Sequence, residues 1–464
     1  MKQAVAVAVS LLAALLAATG VQAAPGLMLG FLDSAYLGAD GDAWLQRSAD
    51  SAADIVRIDG GWAAPDTPVR PPGFDARDPA DPAYDFARLD AGIRGAAARG
   101  LRILLSVGGA PRWAEGPGRD PAARAGTWLP DPHALDEYGV ALARRYSGTF
   151  PDPLRPGLTL PRVEAFQLWN EPNLSTYLTP QWRGGRPVAP AHYRSMLNAF
   201  YRGVKSVRRD ALVVTAGTAP FGDPMAGGDR MMPARFVREL LCLRPDLRRT
   251  RCGSPAHFDV LAHHPYSVGS PHHRALNPDD VSIPDLGKLT RLLRAAERNG
   301  GALPRRHHRL WVTEVAYDSR GPDPDGVPLA LHARFLEESL YLLWRQGVDT
   351  ITWFQIRDQP PDPSYAATNQ SGVYFLDGQA KPAQRAFRFP FVVEPAGGGR
   401  QRVWGRAPAD GTLRIERRTG AGWRLVRALP VSRHATFVAL MGRTPGATLR
   451  ARVGGDTSLV WRAR

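Results

Sequence analysis

Two glutamates stand out because of what precedes them. "AFQLW" runs into Asn170-Glu171-Pro172, and "RLWVT" runs into Glu314, so each carboxylate follows an apolar run of strand character. A carboxylate at the end of a buried strand calls for a functional reason, and paired glutamates are suited to proton transfer and to nucleophilic attack. Similar runs end on other residues able to do chemistry: Arg57 and Trp62, Trp113, His263 with His264 and Tyr266, Tyr317, and Trp353 with Gln355 and Arg357. The histidines of "HHPY" and of "PHH" at 271–273 raise metal binding, histidine being the commonest metal ligand. Their spacing matches no HExxH pattern, and two cysteines alone make no zinc site, so neither a metal nor another cofactor is expected.

These residues need elements to hold them. Eight short segments rich in Val, Ile, Leu or aromatics read as strands: 27–34, 54–62, 101–109, 164–173, 211–220, 258–267, 310–319 and 349–358. Amphipathic helices lie between them, among them "FARLDAGIRGAAARG", "PHALDEYGVALARRYSG", "HYRSMLNAFYRGVKSVRR" and "LHARFLEESLYLLWRQG". Near-continuous apolar strands mean burial on both faces, as in a parallel sheet covered by helices. Eight such units predict an α/β fold, a (β/α)8 barrel over residues 24–393, whose functional groups gather at the C-terminal ends of the strands. An open doubly wound sheet fits less well, because no glycine-rich phosphate turn follows any strand.

Strand periodicity sets further expectations. Asn170 and Glu171 alternate to opposite faces of a regular strand, so a bulge or sharp turn near Pro172 must bring both to one site. On the sixth strand the same period puts His264 and Tyr266 on one face and His263 on the other.

The remaining chain sets the context. "MKQAVAVAVSLLAALLAATGVQAAPG" has one Lys, a short apolar run and a small-residue end, which predicts a signal peptide over residues 1–23, cleaved near Ala23, and a secreted protein. No later stretch is apolar enough to span a bilayer. Cys242 and Cys252, the two cysteines of a chain read as exported, are expected to form one disulfide. The formal charge of +15 comes almost entirely from arginine, lysine occurring only at 2, 205, 288 and 381. No basic element interleaved with aromatics is visible, so no nucleic-acid partner is expected, whereas acidic cell-surface polymers remain open as partners. After "EPAGGG" at 394–399, read as a flexible linker, short alternating segments separated by Gly, Pro and Asp predict a small all-β sandwich over 394–464.

"WNEP" on the fourth strand and "TE" on the seventh resemble glycoside hydrolase clan A, the retaining (β/α)8 glycosidases, in the style of families 39 and 5. The resemblance runs from about residue 27 to 390 and includes "SGVYFLDGQAKPAQRAF" at 371–387. It implies cleavage of a glycosidic bond in an oligo- or polysaccharide, with Glu171 as acid/base and Glu314 as nucleophile. It also implies substrate contacts from Asn170 to the sugar 2-hydroxyl, support of the nucleophile by Arg57 and Tyr266, a place for His264 beside the carboxylates, and a Trp353 platform beneath the sugar. A carbohydrate-binding protein on a barrel that has lost catalysis is the second function class; the presence of both glutamates and their candidate supports argues for the first.

Overall fold

The computed structural model describes residues 26–464. The signal-peptide expectation, with its cleavage near Ala23, therefore lies outside the described residues. Eight parallel strands form the barrel: β1 Met28–Leu32, β2 Ile55–Asp59, β3 Arg102–Val107, β4 Ala165–Leu168, β5 Leu212–Val214, β6 Val260–His263, β7 Arg309–Val312 and β8 Thr350–Phe354. They close in the order β1-β8-β7-β6-β5-β4-β3-β2. One helix follows each strand: α1 Gly41–Asp50, α2 Ala87–Ala98, α3 Pro132–Arg145, α4 Ala189–Val207, α5 Pro233–Leu240, α6 Gly287–Asn299, α7 Leu329–Arg345 and α8 Pro382–Arg388. This is the expected (β/α)8 barrel.

The strands are apolar throughout because each is buried twice. Ile55, Leu104, Ala165, Val214, Val260, Ala262 and Trp311 fill the interior, the large indole of Trp311 complemented by the small Ala165 and Ala262. The alternate residues, such as Val56, Ile103, Phe166, Leu261 and Ile351, face the helices. Each large side chain so buried stabilises the fold by roughly 1.5–3 kcal/mol. Local signals set the helix ends: Asp131 accepts from the His133 backbone N–H before α3, and Gly300 closes α6 in the left-handed region at φ 70°.

A separate β region follows. Strands β9 Phe391–Gly397, β10 Arg400–Arg406 and β13 Thr436–Gly442 form one sheet; β11 Gly411–Thr419, β12 Gly422–Val431 and β14 Thr448–Val453, with two short strands, form another. Residues 394–399 are not a linker. They complete β9 and turn into β10 through Gly397, Gly398 and Gly399, all at positive φ, so the glycines serve a hairpin. Arg406, fully buried, donates to the carbonyls of Leu27 (3.2 Å) and Ala52 (3.0 Å) and pairs with Asp54. Trp404 packs against Tyr341 and Trp344 of α7. The β region thus attaches at the N-terminal ends of β1 and β2, opposite the barrel mouth. Cys242 and Cys252 are joined in a disulfide, Cα atoms 5.9 Å apart. Among the described residues no helix is long and apolar enough to cross a membrane.

Candidate active site

Strand β4 ends at Leu168, and the chain then turns sharply, with Trp169 at φ 75° and Glu171 at φ 36°. Left-handed conformations at bulky non-glycine residues are strained and persist only where the surroundings fix them. Here the Trp169 indole donates to the Tyr177 carbonyl (2.7 Å) and the Glu171 N–H to the Gly217 carbonyl (3.0 Å). This is the turn that the pleat demanded, and it brings Asn170 and Glu171 to the same mouth.

Arg57 stands at the centre of the arrangement. It is fully buried, and its guanidinium reaches Asp59 (2.9 Å), the Asn170 Oδ1 (3.0 Å), the Thr313 carbonyl (3.1 Å) and Glu314 Oε2 (3.5 Å). Glu314 follows β7, and its Oε1 accepts from the Tyr266 hydroxyl at 2.6 Å. Because Asn170 Oδ1 is occupied by Arg57, the amide nitrogen is the end left to donate to a ligand.

His264 links the carboxylates. Its Nε2 lies 3.3 Å from the Arg57 guanidinium and 3.0 Å from the Thr313 hydroxyl, while the Gln167 amide N–H donates to that same hydroxyl oxygen. Two donors therefore face Nε2, so the hydrogen resides on Nδ1 and is donated to Glu171 Oε1 at 3.0 Å. Burial pushes the imidazole down to about 4, so it is neutral near pH 7. Gly217 makes room for the ring: a Cβ there would lie 2.0 Å from Nε2.

The two carboxylates differ. Burial raises Glu171 to about 7 against the charge of Arg57. Glu314 is also raised, by burial first and then by the charge of Glu171, but Arg57 and the Tyr266 hydroxyl favour its ionised form. A proton shared by the pair therefore resides on Glu171. The Glu side chains are 13% and 16% exposed, open enough to meet a ligand. One ligand atom each from Glu171, His264 and Glu314 lies within 4.8 Å of the others. The imidazole nitrogen facing the acids carries hydrogen and a fixed guanidinium charge adjoins them, which suits a hydrogen-bonded acid pair better than a cation. At 263 and 264 the paired histidines divide as periodicity expects: both ring nitrogens of His263 are engaged, with Thr218 (2.8 Å) and the Val281 carbonyl (2.9 Å).

Trp353 is a correction. Its ring is fully buried and its indole donates to the Ser371 carbonyl at 2.9 Å, so it offers no face to a sugar. In the register of β8, Thr350, Thr352 and Phe354 share the inward parity of Met28, Gly30 and Leu32, while Ile351 and Trp353 point to the helices. Phe354, half-buried, is the aromatic that points to the mouth. Asp59, Thr313, Tyr177 and Gly217 were not singled out from sequence. Asp59 and Thr313 could have been, since Asp59 repeats the parity of Arg57 and Thr313 adjoins Glu314; nothing marks Tyr177 or Gly217.

Beside Arg57 and Asn170 lies a cavity of about 290 Å³, lined also by Asp59, Trp169 and Tyr177. It is at the small end of ligand sites. Through Arg124 and Thr176 it adjoins a second cleft of about 430 Å³, walled by Trp128 and Trp182. A larger groove of about 650 Å³ between α1 and α2 contains none of these residues.

The frame is that of a (β/α)8 barrel with two facing glutamates at its mouth. No protein-family model and no curated protein matches the sequence. Solved structures do share the fold. A family 39 glycoside hydrolase from Bacteroides cellulosilyticus WH2 superposes with TM-score 0.54 and 18% identity, over 90% of this chain and 81% of that one. A glucosidase from Croceicoccus marinus gives 0.52 and 14%, over 94% and 97%, and a family 39 β-xylosidase from Caulobacter crescentus 0.52 and 15%, over 92% and 98%. The chain is thus similar in fold to glycoside hydrolases of clan A, as "WNEP" and "TE" had indicated.

Proposed function

We propose that the protein is an exported retaining glycosidase that cleaves a glycosidic bond in an oligo- or polysaccharide. The observation that carries this reading is the pair Glu171 and Glu314, with carboxylate oxygens within 4.8 Å of each other and unequal support for the ionised form, Glu314 alone accepting from the Tyr266 hydroxyl. Retaining enzymes hold their carboxyl groups about 5–5.5 Å apart, whereas inverting ones leave about 6.5–9.5 Å for a water. Glycosidases among the structures of similar fold support the substrate class.

In this reaction Glu314 attacks the anomeric carbon and forms an ester while the bond to the leaving oxygen breaks and that oxygen takes the Glu171 proton. Water then attacks the same anomeric carbon, its proton passes to Glu171, and the bond from that carbon to the Glu314 oxygen breaks, which releases the carboxylate. Arg57 and Tyr266 keep Glu314 ionised and aimed; His264 fixes one oxygen of Glu171 and leaves the other for proton transfer. The amide nitrogen of Asn170, which also faces the Tyr177 hydroxyl, donates to the sugar 2-hydroxyl, and Phe354 replaces Trp353 as the ring beside the sugar. The adjoining cleft with Trp128 and Trp182 favours a substrate longer than one sugar. The Cys242–Cys252 disulfide supports export.

A screen on aryl glycosides and polysaccharides, with Glu171→Gln and Glu314→Gln beside the wild type, tests the reading. Turnover by the wild type that each variant loses by roughly 10³-fold or more supports it; variants as active as the wild type would overturn it. If all three are inactive while the folded protein binds an oligosaccharide, the barrel binds without catalysis.

A further inference from the structure

The net charge is unevenly placed. Residues 391–464 hold fourteen arginines, no lysine and four carboxylates, a net +10, whereas the 390 residues before them hold 45 basic and 40 acidic side chains, a net +5. A uniform preference for arginine would charge both parts in proportion to length, so the excess belongs to the β region.

The fold gathers part of it on one face. Along β11 and β14, Leu413, Ile415, Leu449, Ala451 and Val453 are buried, and alternation turns Arg414, Arg418, Arg450 and Arg452 to the other face, where Glu416 lies buried against Arg414 and Arg450. The register sets Arg414 directly opposite Arg452, and Glu416 opposite Arg450. On the other side β12 places Leu425 opposite Glu416 and Trp423 opposite Arg418, and the Arg450 guanidinium lies 4.0 Å from the Trp423 ring centre. Glu416 is the one carboxylate in this array, 2.8 Å from Arg450 and 3.9 Å from Arg414. Arg418 and Arg452 meet no carboxylate among the described residues. Like charges directly opposite each other destabilise a sheet. Guarding an edge would explain Arg424 and Arg427 of β12, but β11 and β14 are interior strands.

Arginine forks bind carboxylates in a bidentate manner, and an indole with the 41%-exposed Leu425 offers apolar area to the C–H faces of sugars. We infer that this face binds a carboxylate-bearing polysaccharide, a uronate polymer, separately from the barrel mouth. The choice of a polysaccharide among polyanions rests on the glycosidase reading; the anion site itself does not.

Affinity electrophoresis of the full chain carrying Glu314→Gln, through gels containing polygalacturonate or neutral dextran, tests this, with flotation on phosphatidylglycerol vesicles alongside. The expected result is retardation by polygalacturonate alone, weakened by salt. The combined Arg414→Gln, Arg418→Gln and Arg452→Gln variant should lose affinity by about tenfold or more. It should melt no lower than the wild type, since the opposed Arg414 and Arg452 charges are removed, and, with Glu314 restored, should keep hydrolysis of small aryl glycosides. The inference is overturned if the triple variant binds within about twofold of its parent, if dextran retards equally, or if vesicles are bound in preference to the polymer. Polymer binding without any hydrolysis would sink the barrel reading and leave this face standing; hydrolysis without polymer binding would do the reverse.

Discussion

Burial raises the Glu171 carboxyl to about 7, against an ordinary value of 4.5, and with Glu171 in the proposed role this displacement bears on both rate and stability. A general acid must carry a proton, so if Glu171 acts as proposed, kcat/KM should fall as pH rises through about 7, and a Glu171→Gln profile should lack that limb. The same shift works against folding. Between pH 4.5 and 7 the folded state holds a proton that the unfolded state has released, so stability declines with rising pH, by about 3 kcal/mol once above 7. Glu171→Gln should therefore be more resistant to denaturant than the wild type at pH 8 and indistinguishable from it at pH 4; equal stability at pH 8 would count against the buried acid. Tyr266→Phe removes a donor 2.6 Å from Glu314 Oε1. A hydrogen bond to a charged group contributes about 1.5–3 kcal/mol, so kcat should drop by roughly 10–100-fold. The acid limb should move to higher pH, because the hydroxyl favours the ionised form.

At the scale of elements, pleat and turn decide which side chains reach the mouth. Trp353→Phe should lower stability with little change in KM, whereas Phe354→Ala should impair kcat/KM in a folded protein; the opposite pattern would restore Trp353 to the site. Gly217→Ala would drive a Cβ into His264 and displace it, and displacements near 1 Å can cost about 100-fold in rate. A folded Gly217→Ala protein with wild-type kcat would show that the His264 position is immaterial. The strands were legible because burial on both faces leaves continuous apolar runs, and Arg57, Asn170, Glu171, His264, Tyr266 and Glu314 were legible as polar interruptions at their ends. Trp353 was misread because size and aromaticity do not reveal parity, which depends on the register of β8 with β1. The glycines of 397–399 were misread because flexible linkers and tight hairpins ask for the same residue. Lys381, noted only as part of a tail motif, proves to be a buried tie, 2.6 Å from Asp358 and 2.8 Å from the Ser319 hydroxyl.

For the whole molecule, the mouth and the attachment of the β region lie at opposite ends of the barrel. Arg406 crosses that junction, and Arg406→Ala would leave its carbonyl partners and Asp54 short of a buried cation, a loss of about 3 kcal/mol. Urea unfolding should show this loss while KM for small substrates stays unchanged. Unchanged stability would mean that the junction is held by its other contacts, among them Trp404 with its aromatic neighbours and the Arg388–Asp456 pair at 2.9 Å. Distribution of charge between the two parts was invisible in the total of +15, and only the strand registers show which arginines share a face.

Retention by the proposed double displacement requires Glu314 to form a covalent bond to the sugar. Incubation with a panel of 2-deoxy-2-fluoro glycosyl fluorides, followed by mass spectrometry of the digested protein, detects that bond. One fluoroglycosyl adduct is expected on the peptide that contains Glu314, and none in Glu314→Gln. An adduct on Glu171, or none with the fluorinated form of a sugar that the enzyme demonstrably turns over, would contradict it.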